Sequence, residues 1–212
     1  MIRSTLAIFA ITVSGASQAQ AFDPDKFSIE GGGSTLGFHV APSYEISERV
    51  TLRAPIHFGE YSDKFDIDDN NDVDGKLRTA AISLLADVNI AYGLRASAGL
   101  SYGGYKITAD ITDPVYEGNA YTGDVRTVLE QKNKFAPVVS VGYSYFFGRQ
   151  KSWGITGEVG ARITSLELKS DESGLAAGTD LSQYRADIRE ANDDLDDYGV
   201  IPYVTIGLAY RF

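Results

Sequence analysis

The sequence predicts an all-β fold, an antiparallel up-and-down barrel of eight strands that crosses a membrane, with a short helix in its last long loop. Three observations lead there. Long stretches alternate apolar with small or polar residues, the period-two pattern of strands with one greasy face. Five of the seven stretches run to 11 residues or more and the other two to 9, where ordinary strands average about 5–6 and a membrane-crossing strand needs about 9–11. Aromatic residues collect near the two ends of the stretches: Tyr44, Tyr92, Phe147, Trp153 and Tyr210 at one, Phe58, Tyr61, Tyr102 and Phe135 at the other. Two such girdles mark the lipid–water interfaces of a spanning barrel.

Taken in order, residues 1–21 read as a secretory signal. Arg3 is followed by the apolar run Leu6 to Val13 and by Ala19-Gln20-Ala21, a small-residue cleavage site. Cleavage after Ala21 is expected, leaving residues 22–212 as the barrel domain. Seven strands then show clear outward-type series: Leu36 to Ile46, Val50 to Phe58, Ala80 to Ile90, Leu94 to Tyr102, Phe135 to Phe147, Trp153 to Ile163 and Val200 to Phe212. The connections Ser47 to Arg49, Tyr92-Gly93 and Gly148 to Ser152 are tight, whereas Asp66 to Gly75, Thr112 to Asn133 and Ser170 to Gly199 are long. Short periplasmic turns and long outer loops obey the outer-membrane rule. An even strand count with both termini on one side requires one more strand, and Asp25 to Glu30, turning at Gly31-Gly32-Gly33-Ser34, is the candidate.

Composition narrows the function classes. A mean hydropathy of -0.14 and a longest uncharged run of 14 residues after the leader, Phe135 to Gly148, argue against spanning helices, which need about 20. The net charge of -10 argues against nucleic-acid binding. Without cysteine there are no disulfides, thiolate metal sites or thiol catalysis.

The final segment carries the most specific signal. Val204, Ile206, Leu208, Tyr210 and the terminal Phe212 place a large apolar or aromatic side chain at every second position. This resembles the C-terminal assembly signal of outer-membrane β-barrels, which implies recognition by the barrel-assembly machinery. In pattern and length the mature chain is similar to the small barrels of the OmpA, OmpX, OmpW and opacity type. That resemblance implies a monomer in the outer membrane, in contact with its lipid and lipopolysaccharide.

Alternation also assigns the interior. Glu45, Arg53, Asp87, Arg95, Glu158 and Arg162 point inward, with Arg211 below them, and an eight-stranded barrel is just wide enough to be filled by side chains. Charges enclosed there must pair, so a lumen charge network is expected, with Arg53 and Asp87 at similar heights above their turns on neighbouring strands. His39 and His57 point inward as hydrogen-bonding groups. The network reads as a polar plug, or alternatively as the gate of a narrow channel for small hydrophobic or cationic solutes.

Two loops complete the reading. Asp68, Asn70, Asp72 and Asp74 offer alternate oxygens suited to a divalent cation, although Ala81 stands where a calcium loop carries its bidentate Glu. In Asp180 to Asp197, Leu181, Tyr184, Ile188, Ala191 and Leu195 fall at helical spacing, with Asp180 and Gln183 placed as a capping box. Such a helix must lay its stripe over the barrel mouth or the neighbouring loops. No cofactor is called for. A lipid-modifying enzyme is a third reading that the spacing disfavours, since His39 and Ser43 lie about 13 Å apart along a strand. The expectation is a structural or surface-interaction protein of the Gram-negative envelope.

Overall fold

The computed structural model describes residues 23–68, 71–113, 115–116, 119–120, 122–175, 181–197 and 199–212. The expected leader, residues 1–21, lies outside them. A single turn of 3-10 helix, Pro24–Lys26, is capped by the Asp23 carboxylate accepting from the Asp25 amide at 3.2 Å. The strands then follow as β1 (Phe27–Ser34), β2 (Gly37–Ser47), β3 (Val50–Arg53), β4 (Ile56–Asp68), β5 (Asn71–Ala91), β6 (Leu94–Thr112), β7 (Val115–Tyr116), β8 (Asn119–Ala120), β9 (Gly123–Gln131), β10 (Phe135–Phe147), β11 (Trp153–Ile163) and β12 (Leu166–Leu175). Helix α1 (Ser182–Asp197) and strand β13 (Val200–Arg211) end the chain.

Eleven strands form one antiparallel sheet, and β7 and β8 pair separately. The ladder closes on itself: β1 pairs with β2, β2 with β3 and β4, these with β5, then β6, β10, β11 and β13, which returns to β1. A circuit through eight strands therefore surrounds an interior, and the fold is barrel-like. Pro55 has no amide hydrogen, which divides β3 from β4, yet the Ser83 amide still donates to the Pro55 carbonyl at 2.8 Å. At the tight Tyr92-Gly93 turn both residues have positive φ, 52° and 88°, the mirror-image turn whose twist suits two antiparallel strands.

The Gly31-Gly32-Gly33 run lies inside β1, and the turn falls at Thr35 and Leu36. This differs from the expected turn, and the reason is steric. Gly32 faces Gly207 in register across the β1–β13 ladder, and a Cβ on Gly207 would stand 2.6 Å from the Gly31 carbonyl oxygen. The two strands approach too closely for side chains there. Gly207→Val is expected to cost about 1–3 kcal/mol as overpacking, read as a lower urea midpoint for the folded protein in detergent; an unchanged midpoint would contradict the close approach.

The expected long loops are largely strand. β4 and β5 run up to Asp68 and Asn71, with Lys64 opposite Asp74 and Asp66 opposite Asp72. Above the breaks at Lys132–Lys134 and Thr164–Ser165, β4, β5, β6, β9 and β12 continue as a wall on one side, while β13, β1 and β2 stop short. Cross-strand ion pairs line its outward face, Arg126 with Asp110 at 2.6 Å and Lys169 with Glu130 at 2.7 Å. The bond from Lys169 holds the Glu130 carboxyl below its usual range. Such pairs replace an apolar stripe, which is why hydropathy alone does not show these strands.

Helix α1 packs on β12, the free edge of that wall. Asn192 acts as a short substitute strand: its Oδ1 accepts from the Leu168 amide at 2.7 Å and its Nδ2 donates to the Leu168 carbonyl at 2.8 Å. Tyr184 reaches Ser170 at 3.0 Å, and Leu181, Tyr184, Ile188, Ala191 and Leu195 are the half-buried apolar stripe. Covering an exposed strand edge in this way blocks unwanted pairing. Of the capping box, Asp180 lies outside the described residues, and Gln183 donates to Asp187 at 3.3 Å.

Candidate functional site

Packing is inverted relative to a water-soluble domain. Among the described residues, buried polar and charged side chains outnumber buried apolar ones, whereas Phe38, Ile206 and Leu208 stand 65%, 68% and 57% exposed on the outside. The outer band is bounded by aromatic pairs: Phe38–Phe58 and Tyr102–Phe135 at the wall end, and Trp153–Tyr210, Tyr210–Phe212 and Phe27–Phe212 at the turn end. Val204, Ile206, Leu208 and Phe212 are exposed on the outward face, and Tyr210 is half-buried there between Trp153 and Phe212.

Strand register brings the interior charges together. Arg53 on β3 stands beside Asp87 on β5 because Thr51 and Asp87 are cross-strand partners. Its Nε donates to Asp87 Oδ2 at 2.7 Å and its Nη2 to Asp87 Oδ1 at 3.2 Å, a two-pronged pairing. The same Nη2 reaches across the ring to Glu158 Oε2 on β11 at 2.5 Å and to Ser97 at 3.3 Å. Arg95 on β6 completes the knot, with Nη2 3.0 Å from Glu158 and 3.5 Å from Glu30 and Nη1 on the Ser144 hydroxyl. Glu30 in turn contacts His39 Nε2 at 3.2 Å, and the Tyr203 hydroxyl donates to Glu158 Oε1 at 2.9 Å.

Two members of the expected network stand elsewhere. Glu45 is half-buried near the turns, too low on β2 to reach the knot, and lines a cavity of about 840 Å³ on the turn side. Arg162 sits near the top of β11, separated from the knot by Leu36, Leu85, Val138 and Tyr203, which form an apolar layer inside the ring. Leu36, expected on the outward series, turns inward at the β1–β2 turn. Arg211 lies low, its guanidinium carbon 4.4 Å from the centre of the Phe146 ring. His57 has no hydrogen-bond partner among the described residues and stacks near His39 and Tyr203, at 5.7 and 6.1 Å between ring centres.

Glu30 and Tyr203 are interior residues that hydropathy does not reveal, although counting alternate positions down from Phe212 marks neither Tyr203 nor Arg211 as outward. Of the acidic hairpin, Asn70 and the side chains of Asp68 and Asp72 lie outside the described residues. Asp74 is placed opposite Lys64 on β4 and Asp110 on β6. Among the described residues no group of three or more His, Asp or Glu side chains is set to hold a metal ion.

Functionally, the site is a charged knot across a closed sheet. The cavity on the turn side is lined by Glu30, Arg53, Asp87 and Arg95, so the knot forms its inner end. Such an arrangement can block passage or, if its pairs part, admit a small solute.

Known structures share the architecture. The crystal structure of Acinetobacter baumannii CarO2 matches with a TM-score of 0.63 and 20% identity, over 88% of this chain and 98% of that one. That of Acinetobacter baumannii CarO matches at 0.60 and 19%, over 88% and 97%. At these identities the likeness is one of fold. No family model matches the chain, and no curated protein matches it in sequence. The OmpA, OmpX, OmpW and opacity resemblance thus remains one of pattern, and the comparisons support the barrel-like fold without pointing to any of those subfamilies.

Proposed function

We propose that the chain is an integral outer-membrane β-barrel of eight transmembrane strands, exported by a cleaved leader and plugged by its interior charges, with a structural or surface-interaction role in the envelope. The observation that carries this reading is the inverted packing. An apolar outer band flanked by aromatic girdles is stable against lipid and costly against water. The ends of the ring fit the same orientation, with tight turns on the periplasmic side and the wall and α1 outside. Lipopolysaccharide is the partner we place at the wall end, where Lys76, Arg78, Lys106 and Lys169 are exposed. We assign no catalytic role: His39 is engaged with Glu30, and Ser43 lies 2.7 Å from Ser28.

Cell fractionation tests the reading. The processed chain is expected in the membrane fraction, resistant to alkaline extraction and migrating differently on gels before and after boiling; recovery as freely soluble periplasmic protein overturns it.

A narrow channel is the second reading, favoured by the cavity that leads from the turns to the knot. The knot spans the ring in this conformation, so purified protein in a planar bilayer is expected to be silent at low voltage. Reproducible unitary steps from the wild type would instead establish the channel.

A further inference from the structure

Above the apolar layer, at the wall end of the interior, the ring holds a cation that no carboxylate among the described residues meets. Arg162 is 1% exposed, and neither Nη1 nor Nη2 has a hydrogen-bond partner among the described residues. The titratable groups near enough to act on it electrostatically are the phenols of Tyr105 and Tyr203 and the imidazole of His57. None of these is an anion at neutral pH. The contrast with Arg53 and Arg95 is plain, since those two share three carboxylates.

Other buried polar atoms at this level are also unengaged: the Tyr105 hydroxyl, Thr164 Oγ1 and Gln131 Oε1. The backbone explains their proximity. Arg162 lies opposite Val138 on β10, Thr164 follows two residues on, and the Lys132 amide donates to the Ser165 carbonyl at 3.0 Å, bringing Gln131 to the same height. Tyr203 is already committed to Glu158, so the free donors include the two Nη groups, the hydroxyls of Tyr105 and Thr164 and the N–H of the unpartnered His57 imidazole. Donors gathered without an acceptor of negative charge select an anion. The planar fork of a guanidinium matches the two oxygens of a carboxylate better than it matches a sphere.

We propose that Arg162, with Tyr105 and Thr164, forms a binding site for a small carboxylate anion inside the ring. It goes beyond the envelope role above and depends on the interior, not on lipid outside. Isothermal titration of sodium acetate into folded protein in detergent at low ionic strength tests it, with circular dichroism and the boiling-dependent gel shift reporting the fold separately. Saturable binding is expected in the wild type, weakened at least tenfold in Arg162→Gln, several-fold in Tyr105→Phe and not at all in Arg49→Gln at the distant turn. If Arg162→Gln does not fold, Tyr105→Phe carries the comparison. Absence of saturable binding by folded wild type, or equal affinity in the wild type and the folded variants, overturns the proposal. Chloride competing as well as acetate overturns the carboxylate assignment.

Discussion

Arg53→Met is expected to lower stability by about 3–5 kcal/mol, because it removes one partner of a buried ionic knot and leaves the others without compensation. Asp87 would lose its two-pronged partner, and Glu158 would keep only Arg95 and the Tyr203 hydroxyl. The flanking Leu36, Leu85 and Val138 offer the stranded carboxylates no polar substitute. The measurement is urea unfolding of the refolded protein in lipid vesicles, followed by tryptophan emission. Adding Glu158→Gln to Arg53→Met should restore part of the loss, since one uncompensated charge disappears. A midpoint equal to wild type for the single variant would show that the knot is solvated and not a sealed plug.

Val159→Arg addresses the outside. Val159 lies midway along β11, 61% exposed, with Val141 and Val204 as its cross-strand neighbours. In lipid an arginine at mid-depth costs about 2–4 kcal/mol, whereas at an exposed position of a water-soluble protein the change would stay within about 0.5 kcal/mol. The same vesicle unfolding assay reads the difference. A neutral result would mean that water, not hydrocarbon, surrounds the band.

How far the sequence discloses this arrangement depends on contrast between the faces of each strand. β10, β11 and β13 read cleanly because Val, Ile and Tyr alternate with Gly, Ser and Thr. The meeting of Arg53 with Asp87 follows from counting up from their turns. β9 and β12 escape because their outward face is charged and ordered by Arg126–Asp110 and Lys169–Glu130 pairing, while the other face carries only short apolar series, Val125 with Leu129 and Leu166 with Leu168. Glu30 escapes because its glycine-rich strand has no stripe to set a phase. The isolation of Arg162 escapes for the opposite reason: Leu84 beside Leu85 and Val138 beside Val139 put apolar groups on both faces, and periodicity cannot say which lies within. Only the closed register separates Arg162 from the carboxylates it was expected to join.

The meeting of Gly32 with Gly207 joins segments from opposite ends of the chain, and that ordering constrains how the molecule is made. Every hairpin between them can zip up locally, but this last zip demands that the whole intervening polypeptide already be curved, with a loop-closure entropy cost that no short-range contact lowers. β13 must therefore have been made before the ring can be sealed, and a nascent chain that lacks it has two raw margins, β1 and β11, that stay sticky until it arrives.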